Sequence, residues 1–174
     1  ETEMTASYQH LLGRPFIWQV QDCYALVRDF YRDVFNINLP NFARSDEFWK
    51  HGLNLIFDNS RAAGFREISV HPTDYKFGDI AVSAIDSSFG NHCSIFVENG
   101  RIIHHLYNRL SEGPVPFKGL VRNTHVAVYR HEEVEKLPPQ KTETQDVRSF
   151  LSPSKQKRLD ELRLDYARTE GETV

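Results

Sequence analysis

The chain's most reactive side chains are one thiol and a group of imidazoles. Cys23 follows Asp22 in "QDCYALVRDFYRDVF", and the apolar positions after it, Leu26, Val27, Phe30, Tyr31 and Val34, recur every three or four residues. That is the period of an amphipathic helix. Asp22 stands where an N-cap belongs and Asn36 to Pro40 closes the segment, so Cys23 is the first helical residue. The unpaired N–H groups and positive dipole end of a helix start favour a thiolate, whereas the charge of Asp22 opposes one. On this segment alone a buried structural cysteine explains Cys23 as well as a nucleophile does. A neighbouring imidazolium would decide the matter, because it stabilises the thiolate strongly.

Imidazoles occur in "GNHCSIFVENGRIIHH", from Gly90 to His105. Side-chain alternation puts His92, Ser94 and Phe96 on one face of a strand and Cys93, Ile95 and Val97 on the other, so Cys93 is expected to be a bystander. The partner of His92 across the hairpin depends on the loop. A two-residue turn at Asn99-Gly100 brings His105 to its face; a three-residue loop, Glu98 to Gly100, brings His104 there, opposite Ser94. Asn-Gly suits both, and periodicity leaves both open. Either way two imidazoles share a face, an arrangement suited to a base oriented by a second polar group. The competing chemistry is a zinc site made by Cys23, His92 and His104. No closely spaced Cys or His pair and no HExxH supports that site. His10, His51, His71, His125 and His131 have no partner pattern and read as surface or satisfied polar residues.

These residues need elements to position them. "TASYQHLLGRPF" predicts a short helix capped by Thr5 and ended by Gly13 and Pro15. A further helix is predicted from Ser45 to Gly64, with Phe48, Trp49, Leu53, Ile56 and Phe57 on its buried side. The period then changes to two, and Phe65 to Val70, Asp79 to Ile85, His92 to Val97, Arg101 to Leu106 and His125 to His131 read as strands. Helices followed by strands on short turns predict an α+β fold with a mainly antiparallel sheet. Residues 1–131 make the predicted domain. Residues 132–151, with Pro138 and Pro139, read as a polar linker. Residues 152–174 read as a C-terminal helix capped by Ser152, whose thin stripe of Leu159, Leu162 and Tyr166 suits docking.

Composition narrows the function classes. The chain has 174 residues, 40% of them hydrophobic and 12% aromatic, enough for a real core. A net charge of −3 without a basic stripe makes nucleic acid a poor partner. No apolar run approaches the roughly 20 residues of a membrane span, and no signal peptide opens the chain. The first residue is Glu1, so a processed or trimmed piece of a longer chain is expected. Two cysteines are too few for a disulfide framework, and a single Cys23–Cys93 bridge is the minor alternative to free thiols. No cofactor is called for.

In this order the motifs resemble those of the NlpC/p60 family of papain-like cysteine peptidases. "GRPFIWQVQDCYALV" is similar to its "G-x-P-Y…DCSG-[LF]-V" signature, "FGDIAV" to its "PGDL" strand, and "NHCSIFVENGRIIHH" to its "HVGIYxGNGxxxH" hairpin. "LVRDFYRD", "LPNFAR" and "HHLYNRLS" resemble, more narrowly, the peptidase domain of long-tailed phage tail-tip assembly proteins of the lambda K type, in which a metallopeptidase-like domain precedes it. The likeness runs from about Ser7 to His131.

The resemblance implies a papain-like fold, with Cys23 as nucleophile, His92 as general base and His104, twelve positions on, as the group that orients His92. It therefore selects the three-residue loop. It implies Asp22 as the carboxylate that holds the free amine of a stem-peptide L-Ala, with Tyr24, Phe16 and Ser94 at the substrate site. The substrate implied is bacterial peptidoglycan, cut between D-γ-glutamate and a diamino acid. The partners implied are other tail-tip proteins, and the place a virion tail acting in the host periplasm or cell wall. Three departures stand out. Phe16 replaces a tyrosine whose hydroxyl helps at the oxyanion or substrate site, and Tyr24 and Ala25 replace a serine and a glycine. The alternative they favour is a structural tail-tip protein that keeps the fold without the activity.

Overall fold

A computed structural model describes residues 8–138, 152–155, 157, 158 and 161. The chain divides into two compact units, residues 1–140 and 141–174. The first is built on a six-stranded sheet: β1 (Phe65–Ile68), β2 (Ile80–Ser83), β3 (His92–Phe96), β4 (Arg101–His104), β5 (Glu112–Pro116) and β6 (His125–His131). The order is β1-β6-β2-β3-β4-β5, and every pairing is antiparallel. With helices α1 (Cys23–Phe35), α2 (Leu55–Ser60), α3 (Leu120–Asn123) and α4 (Glu132–Glu135), the class is α+β. No helix among the described residues is long and apolar enough to cross a membrane.

The α1 helix forms where its caps and apolar face require. Asp22, in extended conformation, accepts the N–H of Ala25, and Asn36 ends the helix in the left-handed region at φ 56°. Leu26, Val27, Phe30 and Tyr31 are buried against Ile80, Val82, Cys93, Ile95, Val97 and Ile103 of the sheet. Each large side chain so buried contributes about 1.5–3 kcal/mol. The opposite face carries a second cluster, Ile68, Ala81, Phe96, Ile102, Val121 and Val128. With both faces covered, β2 and β3 are buried at every position.

The β3–β4 hairpin has the three-residue loop. Asn99 and Gly100 are both left-handed (φ 58° and 65°), and Val97 donates its N–H to the Arg101 carbonyl at 2.8 Å. His104 consequently pairs with Ser94.

Several predicted elements differ. The opening helix is only a 3₁₀ turn, Gln9–Leu11, and its Thr5 cap lies outside the described residues. The helix expected over Ser45 to Gly64 is two pieces, a 3₁₀ turn Phe48–His51 and α2. Gly52, left-handed at φ 75°, returns its N–H to the Phe48 and Trp49 carbonyls and stops the first piece. Phe48 and Ile56 are buried as expected, but the break turns Leu53 and Phe57 to solvent. Glu132–Glu135, read as linker, is a helical turn with Val134 buried. β5 is an additional strand and carries Pro114 and Pro116, which argue against a central position. As the edge strand of the sheet it tolerates them.

In the second unit residues 153–155, 157, 158 and 161 are helical, and Lys155 donates its N–H to the Ser152 carbonyl at 2.9 Å. The stripe of Leu159, Leu162 and Tyr166 lies outside the described residues.

Gly113 makes β5 depend on glycine. Its φ is +136°, and a Cβ there would stand 2.6 Å from the Ile102 carbonyl oxygen and 2.9 Å from the Ile103 Cα. Backbone on both sides leaves no flexible neighbour to give way. Gly113→Ala is expected to destabilise by more than about 1 kcal/mol. Thermal unfolding checks this: the midpoint should fall about 2–4 °C per kcal/mol, and an unchanged midpoint would contradict the geometry.

Candidate active site

Cys23 opens α1 at the floor of a cleft of about 560 Å³ that His92 also lines. Its Sγ lies 3.8 Å from the carbonyl oxygen of Asn91, and it is in side-chain contact with His92. Asn91 fixes the entry to β3 by accepting the N–H of Ile85 at 2.8 Å and donating to the Ile85 carbonyl at 2.9 Å. His92 Nε2 lies 3.1 Å from His104 Nδ1, and His104 Nε2 lies 2.8 Å from Glu112 Oε1. Because His104 faces Ser94 across the hairpin, the two imidazoles meet along one side of β3 and β4.

The chemistry of the partners orders the protons. An ionised carboxylate only accepts, so His104 Nε2 carries a hydrogen toward Glu112. Neutral His104 then accepts at Nδ1 from His92 Nε2–H. That leaves His92 Nδ1 as the ring nitrogen that can exchange a proton with Cys23. Burial, followed by the neighbouring charge of His92, holds the His104 pKa below its usual value, which keeps the ring neutral. Both ring nitrogens of His104 are thereby occupied. Among the described residues no three His, Cys, Asp or Glu side chains are grouped to hold a metal ion.

The Cys23 thiol is held down to about 5, first by a hydrogen bond from the Cys93 thiol, against the opposing effect of burial, and then by the hydrogen bond and charge of His92. Cys93 is pushed well above its usual range by that hydrogen bond and by burial. Both thiols are free. Cys93 lies, as expected, on the strand face opposite Ser94; it is buried in the core under α1 and does not line the cleft.

The other expected residues divide. Phe16 lines the cleft, edge-on to Trp18, His105 and Tyr107. Tyr24 forms part of the wall, but its hydroxyl is spent on the Pro40 carbonyl at 2.7 Å. Ser94 is 0% exposed, with its hydroxyl unpartnered among the described residues, and it does not line the cleft. Its strand faces the second cluster there, so it is placed away from any substrate. Asp22 is 1% exposed, and four donors fill its carboxylate. They are Ala25 N–H (2.8 Å) and Arg44 Nη2 (2.9 Å) on Oδ1, and Gln19 N–H (2.8 Å) and Arg44 Nε (2.7 Å) on Oδ2.

Sequence reasoning missed Arg44, Glu112 and the role of His105. Arg44 stood in the quoted "LPNFAR" without a partner in sight. Glu112 lies on the unanticipated β5. His105, the other candidate of the loop question, is buried in the cleft wall and donates Nε2–H to the Arg109 carbonyl at 2.9 Å.

An antiparallel sheet with a helix-opening cysteine packed beside a histidine pair is the arrangement of the NlpC/P60 family. Residues 13–129 match that family, and the chain belongs to it. It is 35% identical over 122 residues to the tail tip assembly protein K of Escherichia phage lambda, covering 70% of this chain and 59% of that protein. It is 29% identical over 126 residues to the tail tip assembly protein K of Escherichia phage N15, covering 71% and 50%. The chain thus spans between a half and three-fifths of the length of these relatives.

The Cys93 contact has a direct consequence. Cys93→Ala removes the hydrogen bond to the thiolate, so the Cys23 pKa should rise. Iodoacetamide alkylation of Cys23, followed across pH by mass spectrometry, should be half-maximal near pH 5 in the wild type. The variant's profile should move toward neutral pH, while Cys93 of the wild type stays unlabelled. Superimposable profiles would remove Cys93 from the thiol's environment.

Proposed function

We propose that the protein is a peptidoglycan endopeptidase of a phage tail tip that cuts stem peptides between D-γ-glutamate and the diamino acid. The observation that carries this reading is the line of contacts from Cys23 through His92 and His104 to Glu112, opening on the cleft. The family and the names of the two phage relatives support the setting.

In the proposed mechanism His92 Nδ1 holds the proton that Cys23 has given up, and the thiolate attacks the γ-glutamyl carbonyl carbon. The N–H of Cys23, at the first helical position, has no intrahelical partner and donates to the oxyanion. As the C–N bond breaks, His92 returns the proton to the leaving amine, and a thioester remains on Cys23. Water, deprotonated by His92, then releases the acid and restores the thiolate beside protonated His92. His104 holds the His92 ring in the required tautomer throughout.

A second reading is a tail-tip assembly protein that keeps the fold without the activity. Phe16 favours it, because that ring faces the cleft without a hydroxyl to donate. Losing one oxyanion donor lowers kcat by about 10²–10³-fold where the donor is needed.

Digestion of purified peptidoglycan by the wild type and by Cys23→Ala, with released muropeptides identified by mass spectrometry, decides between the two. The first reading expects a γ-glutamyl–diamino acid cut that falls by at least about 10³-fold in the variant. No cut by folded wild type supports the assembly role. Within the first reading the two supports of His92 should differ. Glu112 is 54% exposed at its side chain, and such a surface pair is worth about 1 kcal/mol or less. Glu112→Gln should therefore lower kcat by less than about tenfold, whereas His104→Ala should lower it far more. Equal losses would mean that the carboxylate, not the imidazole, does the orienting.

A further inference from the structure

We infer that the cleft takes a stem peptide whose N-terminus is acylated, as it is while still attached to the glycan, in preference to the same peptide with a free ammonium terminus. This rests on the peptidoglycan reading above and concerns which form of that substrate the site accepts.

An ammonium group leaving water needs a carboxylate with unused acceptor capacity. Three carboxylates line the cleft, Asp22, Glu47 and Asp86. Asp22 is the one beside the nucleophile in sequence, and its four acceptor positions are filled. Its partner Arg44 is equally spent. Nε and one Nη2 hydrogen go to Asp22, the other Nη2 hydrogen to the Gln19 carbonyl at 3.3 Å, and Nη1 to Asn41 Oδ1 and the Phe42 carbonyl, both at 2.9 Å. The guanidinium lies over the Tyr24 and Phe42 rings, 5.2 and 5.3 Å from their centroids, which shuts the pair in. Neither member has a free donor or acceptor to offer a ligand.

The remaining charges give an ammonium no help. Glu47 is bound to Lys50 at 2.7 Å, and Asp86 is exposed on the β2–β3 connection, where water and salt screen it. Three acidic side chains (Asp22, Glu47, Asp86) face three basic ones (Arg44, Lys50, Arg109) around the cleft, so its formal charge is zero. The rest of one wall is aromatic. Trp18 lies 5.8 Å from Trp49 and 5.6 Å from Tyr107, and Tyr107 is half-exposed. A neutral, largely aromatic wall matches the C–H faces of an acetamido sugar. It does not match a cation that must be neutralised.

The test compares two substrates of the same peptide sequence, one amide-linked to N-acetylmuramic acid and one with a free N-terminal amine. Wild-type kcat/KM should favour the linked form by about tenfold or more. Equal rates, or a faster free peptide, would overturn this inference and leave the endopeptidase standing. Cleavage of neither by folded protein would overturn the endopeptidase and this inference with it. Arg44→Gln, which returns acceptor capacity to Asp22, should narrow the ratio. If that variant does not fold, the wild-type ratio decides alone.

Discussion

The buried carboxylate of Asp22 is the constraint on which the site depends. A carboxylate removed from water is costly by several kcal/mol unless charge and hydrogen bonds replace its hydration. Here all the replacement comes from three short segments: the Gln19 turn, the first turn of α1 and Arg44. None of them can move without leaving a charge unsatisfied. Such pairs are a weak source of net stability and a better source of registry. What they register is the N-terminus of α1, and with it the position of Cys23 over the start of β3.

The second constraint is the length of one loop. Strand side chains alternate with a period of two, so a single residue more or less in the β3–β4 loop exchanges His104 for His105 on the face of His92. With Asn99 and Gly100 both left-handed, the loop closes at three residues, and His104 meets His92 at 3.1 Å. His105 then turns to the α1 side and becomes part of the cleft wall. β5 completes the line with Glu112, and its close approach to Ile102 and Ile103 at Gly113 keeps that edge strand against β4.

Much of this was legible in the sequence where the determinants are local. The cap and period of α1, five of the six strands and the two candidate loops all follow from neighbouring residues. The limits were those of local reasoning. Gly52 inside an apolar stretch could be a tolerated helix residue or a stop, and only its left-handed backbone distinguishes them. Pro114 and Pro116 exclude a central strand but not an edge strand, and edge status belongs to the whole sheet. Alternation assigned Cys93 to a face correctly but could not say that Cys23 would be what covers it. Arg44 is twenty-two residues from Asp22, and nothing in spacing announces such a pair.

That last pairing also resolves a conflict in the sequence. Asp22, next to Cys23, should raise the thiol pKa and so oppose the helix dipole and the histidine. In the folded protein the Cys23 thiol is nonetheless held below its usual value. The guanidinium of Arg44 offsets the charge of Asp22. It lies against both carboxylate oxygens in a site with almost no water, so the field reaching the sulfur is that of a neutral pair. One arginine thus offsets the cost of burying Asp22, weakens the opposition of that carboxylate to the thiolate and removes an acceptor from the cleft. The electrostatics of nucleophile and substrate site are set by the same contact, so a substitution at Arg44 changes both together.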